Sequence, residues 1–445
     1  MSRKELNLRD KISQRKAKVG IVGLGYVGLP MAIEVAKAGF DVIGVDVDLK
    51  KVKAINSGKS YIEDVPSDEL EALVNAKKIK AYKNYQVCEQ CDIINICVPT
   101  PFTKAKDPDI SYIIDSGKAI AKYLKPGQLI VLRSTTFPET TEKVLLPILE
   151  KTGLKVGKDF YLAFAPERID PGNKVFTTKN TPVVVGGVTK TCTEIAKLFY
   201  ATFVDEVITV SNPRVAEMAK LLENIFRSVN IALVNELALL CERMGGIDIW
   251  EVVAAAGTKP FGFMSFYPGP GIGGHCILVD PYYLSWKARE YDFHSNFIEL
   301  AAQTNENMPF KVVDKFLAIM SERDVSVKKA TILILGVAFK KNVSDTRNSP
   351  AIKVMEILAN KVKRIYYNDP YVPKIKVLGR RYESVPLTKE LLQKVDCVLI
   401  LTDHSSYNYD EIIENANLIF DTRNAIKKRG LNHIHTLGFC PTVKD

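Results

Sequence analysis

The feature that most constrains this chain lies near its start. The turn Gly23-Leu24-Gly25-Tyr26-Val27-Gly28 sits between a β-like run, Lys18–Val22, and a helix-like segment, Pro30–Ala38, closed by Gly39. A second apolar run, Asp41–Val45, ends at Asp46, so the segment reads as a βαβ unit. In that setting Gly23 permits a tight turn, Gly25 lets backbone approach a pyrophosphate, and Gly28 allows the helix to pack closely. The helix N-terminus favours the phosphate charge. A glycine turn alone is weak, but Asp46 follows at about the 20-residue spacing at which a carboxylate accepts hydrogen bonds from the adenosine ribose. Its charge repels a 2′-phosphate, so NAD is expected rather than NADP. Lys51 is a cation near the same place, or only part of a solvated helix face.

The strand and helix alternation continues through Asp92–Val98, Leu129–Leu132, Tyr161–Phe164 and Pro182–Val185, the pattern of a mostly parallel sheet covered by helices. Between Asn212 and Met244 the period changes. Met218, Leu221, Leu222, Ile225, Phe226 and Val229 recur at helical spacing, and Gly245-Gly246 ends the run, which predicts one long helix. From there to about Met308 the chain reads as helical, apart from the glycine-rich stretch Phe266–Cys276. Alternation resumes with Ala330–Leu335, Arg364–Tyr367, Asp396–Leu401 and Asn417–Phe420 as strands and Pro350–Ala359 as a helix. The expected fold class is α/β, with two Rossmann-like doubly wound domains joined by a long central helix and a helical middle domain. The expected division is residues 1–211, 212–311 and 312–445.

Composition excludes little but is consistent with this. Apolar residues are 47% and charged residues 25% of 445, as in soluble globular proteins, and a chain this long builds more than one core. The net charge of +10 is spread along the sequence, which suits a polyanionic small ligand and does not by itself exclude nucleic acid. No zinc-finger spacing, RNP-type motif or basic arm is found, so no nucleic acid partner is expected. The longest purely apolar runs fall far short of the roughly 18 residues of a membrane span, and the polar leader lacks a signal-peptide core. No membrane association is expected, and the eight scattered cysteines point to a reducing, cytoplasmic setting.

The stretch Phe266-Tyr-Pro-Gly-Pro-Gly-Ile-Gly-Gly-His275-Cys276 demands an irregular loop that exposes backbone N–H groups and ends at a thiol. That thiol is a candidate nucleophile or a buried structural cysteine. Lys220 and Asn224 stand four residues apart on the long helix and project from one face; a solvated polar stripe is the alternative.

With Gly23–Gly28, Val98-Pro-Thr-Pro101, Ser134-Thr135, Ala165-Pro-Glu-Arg168, Lys220…Asn224, Gly273-Gly-His-Cys276 followed by Asp280, and Phe339-Lys340…Asp345-Thr-Arg347, the chain resembles the UDP-sugar 6-dehydrogenases. That family includes UDP-glucose and UDP-N-acetylhexosamine dehydrogenases, and the match covers nearly the whole chain. The resemblance implies a double oxidation of the sugar C6 hydroxymethyl by two NAD, with Cys276 holding the substrate as thiohemiacetal and then thioester. It implies Lys220 and Asn224 on the reacting oxygen, Glu167 and Asp280 for proton handling and water activation, and Thr135 positioning the water. For the cofactor it implies Gly23, Gly25, Tyr26, Val27, Gly28, Asp46, Lys51, Thr100, Thr135 and Arg347. For the substrate it implies Glu167, Arg168, Lys220, Asn224, Ser265, Phe266, Tyr267, Pro268, Gly269, Gly273 and Lys340, although Phe266 and Tyr267 are equally compatible with a core role. His275 adjoins the nucleophile, and neighbouring side chains on an extended loop point apart, so a packing role is expected.

Several positions depart from the UDP-glucose branch: Arg168-Ile-Asp170-Pro171 where that branch has a second acid, Leu278-Val279 before the aspartate, and Lys259-Pro260 where it has an arginine for the neighbouring subunit. The combination Lys259-Pro-Phe-Gly-Phe-Met264 with Asp280-Pro-Tyr-Tyr-Leu-Ser-Trp-Lys287 is more similar to the UDP-N-acetylglucosamine branch. UDP-N-acetylglucosamine is therefore the expected substrate, with UDP-N-acetylmannosamine and then UDP-glucose behind it, and polysaccharide precursor synthesis the implied setting. Cys88-Glu-Gln-Cys91 and His433-Ile-His435 lack the partners of a metal site, so no metal is expected. A non-catalytic nucleotide-sugar sensor is the rival from another class, and a hydroxyacid or hydroxyacyl dehydrogenase, which makes one hydride transfer, is the rival enzyme. The apolar long helix suggests a homodimer or higher homo-oligomer.

Overall fold

The computed structural model describes residues 7–62, 65–103, 106–169, 173, 175–274 and 277–441. The chain forms two compact units, Met1–Glu223 with Tyr282–Phe293, and Asn224–Pro281 with His294–Asp445.

Unit 1 is built on an eight-stranded sheet among the described residues: β1 (Lys18–Val22), β2 (Asp41–Val45), β3 (Ile79–Tyr82), β4 (Ile93–Ile96), β5 (Leu129–Leu132), β6 (Tyr161–Phe164), β7 (Val183–Gly187) and β8 (Val207–Thr209). The strand order is β3-β2-β1-β4-β5-β6-β7-β8, parallel except for the antiparallel β6–β7 pair. Apolar clusters lie on both faces, one including Val19, Ile21, Phe40 and Phe199 and the other Ile94, Ile96, Leu132 and Phe164. Burial on both sides explains why β5 reads as an unbroken apolar run and why β4 is apolar but for Asn95, whose buried oxygen accepts from the Tyr200 hydroxyl. The order reverses at β1, between β2 and β4, and there the glycine turn emerges.

Unit 2 carries a five-stranded parallel sheet, β10-β9-β13-β14-β15, formed by β9 (Thr331–Leu335), β10 (Arg364–Asn368), β13 (Cys397–Ile400), β14 (Ile419–Asp421) and β15 (Ile434–Thr436). Between β10 and β13 a hairpin of β11 (Lys374–Val377) and β12 (Arg380–Glu383) forms a separate two-stranded sheet. Helices Ile249–Ala256 and Asn296–Glu322 precede the sheet. Both α/β expectations hold, and two details differ. The irregular segment begins at Gly257, not Phe266, because Pro260 and Gly262 break the helix early. The later helix does not stop near Met308 but continues through Pro309 to Glu322, anchored by buried Met308, Val312 and Phe316.

The long helix runs from Pro213 to Met244. Its buried face takes only part of the expected apolar row, Leu221 and Ile225. Glu217, Lys220, Asn224 and Ser228 are buried beside Ala216, Leu221 and Ile225, whereas Met218, Leu222, Phe226, Leu233, Leu237, Leu240 and Met244 are exposed. By length and composition this helix is also sufficient to cross a membrane, although charged and polar residues interrupt its apolar sequence.

Candidate active site

In unit 1 the glycine turn follows β1. Gly23 adopts φ +88°, a left-handed conformation that glycine supplies without strain, and its N–H donates to Val45 O at 2.8 Å. A Cβ on Gly28 would stand 1.8 Å from Gly23 O, while one on Gly25 would meet nothing within 4 Å. The turn is thus closed at Gly23 and Gly28 and open at Gly25, an arrangement that fits a pyrophosphate over Gly25 at the start of helix Gly28–Lys37.

Buried Asp46 accepts from Leu24 N and Asp48 N, each at 2.9 Å, and Lys51 Nζ lies 3.5 Å from its carboxylate. Lys51 is therefore paired with Asp46 and is not simply part of a solvated face. The Tyr61 hydroxyl donates to Leu24 O at 2.5 Å and straps the turn. Tyr26 is exposed and Val27 half-buried. Thr100 O accepts from the Tyr283 hydroxyl, also at 2.5 Å.

A buried polar group lies at the C-terminal ends of β5 and β6. Arg133 donates to Glu167 Oε2 at 2.6 Å, and Glu167 Oε1 accepts from Arg168 N at 2.8 Å and Ile169 N at 3.0 Å. Burial opposes the charge on Arg133, but neighbouring Tyr200 and Glu167 raise its pKa overall; burial pushes the Tyr200 hydroxyl up to about 12. Arg168 donates to Pro182 O and pairs with Glu223, both at 2.8 Å. Thr135 is half-buried between Ser134, whose hydroxyl donates to Val98 O at 2.7 Å, and Thr136, bonded to Thr140 at 2.8 Å.

On the long helix, Glu217 accepts from Glu139 N at 2.7 Å, Thr141 N at 2.9 Å and the Thr141 hydroxyl at 2.7 Å. Burial nevertheless pushes its carboxyl up to about 7. Lys220 follows on the same face and is 8% exposed, so the solvated-stripe alternative does not hold.

In unit 2, Asn224 Nδ2 donates to Asp280 Oδ2 at 2.5 Å, joining two motif residues 56 positions apart, both buried. The glycine-rich loop enters over a chain of buried amides: Asn305 Nδ2 donates to Ser228 O at 2.9 Å, Asn235 Nδ2 to Asn305 Oδ1 at 3.0 Å, and Gly269 N to Asn235 Oδ1 at 3.0 Å. Its far end is pinned where Gly274 N donates to Arg347 O and Asn348 Nδ2 to Gly274 O, each at 2.9 Å. A Cβ on Gly273 would lie 2.5 Å from Phe339 Cβ. His275 and Cys276 lie outside the described residues, as do Asp170 and Pro171.

Ser265 is exposed, Phe266 packs on Phe226 at 5.8 Å between ring centres, and Tyr267 stacks on Trp250 at 5.6 Å while remaining 48% exposed. Tyr267 and Pro268 line a cleft of about 560 Å³ with Trp250, Arg423, Lys427 and Arg429. Arg423 and Arg429 are already oriented by Asp403 and Asp248 at 3.3 and 2.8 Å. Lys340 is half-buried, and the Arg347 guanidinium is held by Asp345, with Nε at 2.9 and 3.0 Å from its two oxygens.

Sequence reasoning missed Arg133, Glu217, the Asn235–Asn305 pair and the Arg423 cleft. Arg423 had a usable signal, since Asp421-Thr-Arg-Asn424 follows a strand of the second α/β domain; the others are visible only through their partners.

Comparison with known proteins places these motifs in one lineage. Three descriptions of the UDP-glucose/GDP-mannose dehydrogenase family match in order: the NAD binding domain over residues 17–204, the central domain over 214–307 and the UDP binding domain over 333–428. The chain is 36% identical over 417 residues to the UDP-N-acetyl-D-mannosamine dehydrogenase of Pyrococcus horikoshii, covering 92% of this chain and 96% of that one. It is 35% identical over 396 residues to the UDP-N-acetyl-D-glucosamine 6-dehydrogenase of Pseudomonas aeruginosa, covering 88% and 91%. A solved structure of the Pyrococcus horikoshii UDP-D-ManNAc dehydrogenase superposes with a TM-score of 0.86 at 34% identity, over 95% of this chain and 99% of that one.

Proposed function

This chain belongs to the UDP-glucose/GDP-mannose dehydrogenase family and is an NAD-dependent oxidoreductase, and from that premise we propose that it oxidises the C6 hydroxymethyl group of a UDP-N-acetylhexosamine to the carboxylate. The observation that carries this reading is the Asn224–Asp280 hydrogen bond. It joins Asn224 of the long helix to the residue four places beyond Cys276, two groups 56 positions apart in sequence.

NAD supplies the acceptor for a hydride, twice per substrate. Within this reading Cys276 Sγ bonds to the C6 aldehyde carbon, first as thiohemiacetal and, after the second hydride is lost, as thioester; water then releases the acid and restores the thiol. Lys220 and Asn224, one helical turn apart, donate to the C6 oxygen as negative charge develops on it. Asp280, oriented by Asn224, handles the proton, and Glu167, held by Arg133, serves with Thr135 to place the water. Thr100, Asp46, Lys51 and the Gly23–Gly28 turn with Tyr26 and Val27 hold the cofactor, with Arg347. Lys340, Arg168, Phe266 and the rest of the Ser265–Gly269 loop with Gly273 hold the nucleotide sugar. The cleft at Trp250, Tyr267 and Arg423 suits an aromatic base next to a diphosphate.

The work divides among residues 1–211 for NAD, 212–311 for the catalytic loop and 312–445 for UDP. The exposed apolar row Met218, Leu222, Phe226, Leu233, Leu237 and Leu240 is the surface on which a second copy packs, giving a homodimer or higher homo-oligomer. This row faces a partner subunit rather than lipid, and the free thiols at Cys88, Cys97, Cys192 and Cys397 suit a cytoplasmic enzyme. A hexuronic acid carried on UDP is a donor for polysaccharide assembly.

The test is NADH formation at 340 nm with UDP-N-acetylglucosamine, UDP-N-acetylmannosamine and UDP-glucose in parallel, using wild type and Cys276→Ala. Two NADH per N-acetylated substrate, lost in Cys276→Ala, is the expected result, and the preferred epimer assigns the C2 configuration. One NADH per substrate, or turnover by Cys276→Ala to the acid, overturns the covalent mechanism. No turnover of any UDP-sugar by folded, NAD-binding protein overturns the assignment in favour of a sensor.

A further inference from the structure

In unit 2 a buried histidine sits behind the segment that carries Lys340. His404 and Asp369 are both fully buried, with His404 Nε2 3.0 Å from Asp369 Oδ2. His404 Nδ1 lies 2.9 Å from the backbone nitrogen of Asn342. A backbone N–H can only donate, so Nδ1 is the acceptor, the ring proton resides on Nε2, and the neutral ring donates to the carboxylate.

Asp369 holds the other end of the same segment. Its Oδ2 also accepts from Val337 N at 2.7 Å and Ala338 N at 3.0 Å, while Oδ1 accepts from Tyr371 N at 2.9 Å and Val372 N at 3.1 Å. The residues flanking His404 complete the grip. Thr402 Oγ1 donates to Ala338 O at 2.7 Å, Asn342 Nδ2 donates to Ser405 Oγ at 2.8 Å, and Ser405 N donates to Asn342 Oδ1 at 2.9 Å. The segment 337–342 is therefore stapled at its first two residues and at its last.

Two residues between the staples face function. Phe339 underlies the glycine-rich loop: a Cβ on Gly273 would come 2.5 Å from Phe339 Cβ, and one on Gly274 3.2 Å from its Cε2. Lys340 follows it in sequence. Asp369 occupies the end of β10, the place that Asp46 occupies at the end of β2 in unit 1. Its carboxylate is fully buried and both oxygens accept from protein donors, so in unit 2 this position is an internal fastener.

We infer that His404 is a positioning residue of the active site: through Asp369 and the Asn342 backbone it fixes segment 337–342, which presents Lys340 to the UDP-sugar and backs Gly273 and Gly274 with Phe339. The second half of this inference rests on the function proposed above. His404 touches neither substrate nor cofactor, because it has no exposed surface.

Two substitutions separate its two nitrogens. Asparagine places an acceptor near Nδ1 and cannot reach Asp369, whereas glutamine places a donor near Nε2 and leaves the Asn342 N–H unpaired. His404→Asn, His404→Gln and His404→Ala are compared with wild type by thermal unfolding, by amide hydrogen exchange of peptides covering 337–345, and by KM for the UDP-sugar and for NAD. The expected result for Gln and Ala is faster exchange across 337–345 and a KM for the UDP-sugar raised about tenfold, the scale of one lost buried hydrogen bond, with KM for NAD within about twofold. Asn restores part of both, because the bond to Asp369 stays lost.

Unchanged exchange and KM in folded His404→Ala overturn the inference. So does a parallel rise in both KM values that follows the loss of thermal stability, which is the signature of a merely structural residue. Exchange reads the staple without any substrate, so a wild type that turns over no UDP-sugar removes the functional reading and the substrate half of this inference while the exchange data still decide the staple.

Discussion

Replacing Gly25 by alanine separates the fold of the cofactor turn from its use. A Cβ at Gly25 meets no protein atom within 4 Å, and its φ is outside the left-handed range, so the free protein accommodates alanine. Restricting the unfolded chain then leaves stability unchanged or raises it by about 0.4–1 kcal/mol. The same methyl group occupies the space through which a pyrophosphate must approach. Forcing the ligand aside by about a methyl radius resembles overpacking, at about 1–3 kcal/mol, which is about tenfold to a hundredfold in Kd for NAD.

Gly28→Ala is the contrasting change. Its Cβ would lie 1.8 Å from Gly23 O, more than an ångström inside the 3.0 Å limit of real Cβ contacts, so helix and turn must separate even without ligand. Calorimetric titration with NAD and differential scanning calorimetry of the free proteins give both quantities. The expected pattern is Gly25→Ala with wild-type Tm and weakened NAD binding, and Gly28→Ala with both reduced. A Gly25→Ala protein that binds NAD with wild-type Kd refutes the placement of the pyrophosphate over Gly25.

Two further predictions concern buried charge. Arg133→Met leaves Glu167 without its cation and is expected to destabilise the protein by about 3 kcal/mol in denaturant unfolding, with Glu167→Gln on that background costing little more; a loss below about 1 kcal/mol for Arg133→Met contradicts the pairing. Burial pushes the Asp421 carboxyl, which accepts from Arg423 N and Ile426 N, up to about 6 from an ordinary 3.8. A raised folded-state pKa contributes stability that is complete below about pH 4 and is lost as pH rises through 6. At about 1.36 kcal/mol per pH unit the loss is on the order of 3 kcal/mol. Asp421→Asn removes that slope, so its unfolding free energy should gain on wild type by that amount between pH 4 and 7; parallel curves show that Asp421 does not titrate there.

The alternation of apolar runs and the turns between them made both α/β domains legible, because a strand buried on two faces needs an unbroken apolar run and a βα turn over a phosphate needs glycine. The long helix was legible by period, but its orientation was not. The apolar residues Met218, Leu222 and Phe226 marked the period and proved to be exposed, while Glu217, Lys220 and Asn224 turned inward. Helical spacing reports which residues share a face and is silent on what that face meets.

The chemistry of the turn, the loop and the long helix was legible in the chain alone, because reactive and phosphate-binding chemistry needs particular side chains at particular spacings. Tertiary structure decided the partners. Asn224 with Asp280, Arg133 with Glu167, Gly269 with the Asn235–Asn305 amides, and His404 with Asp369 and Asn342 are each separated by 34 residues or more on at least one side. A hydrogen bond depends on distance and angle in space, and the local pattern around either partner carries no record of the other. Histidine 404 shows the difference most clearly: its sequence neighbours mark only the end of a strand, and its role appears when β9, β10 and β13 lie side by side.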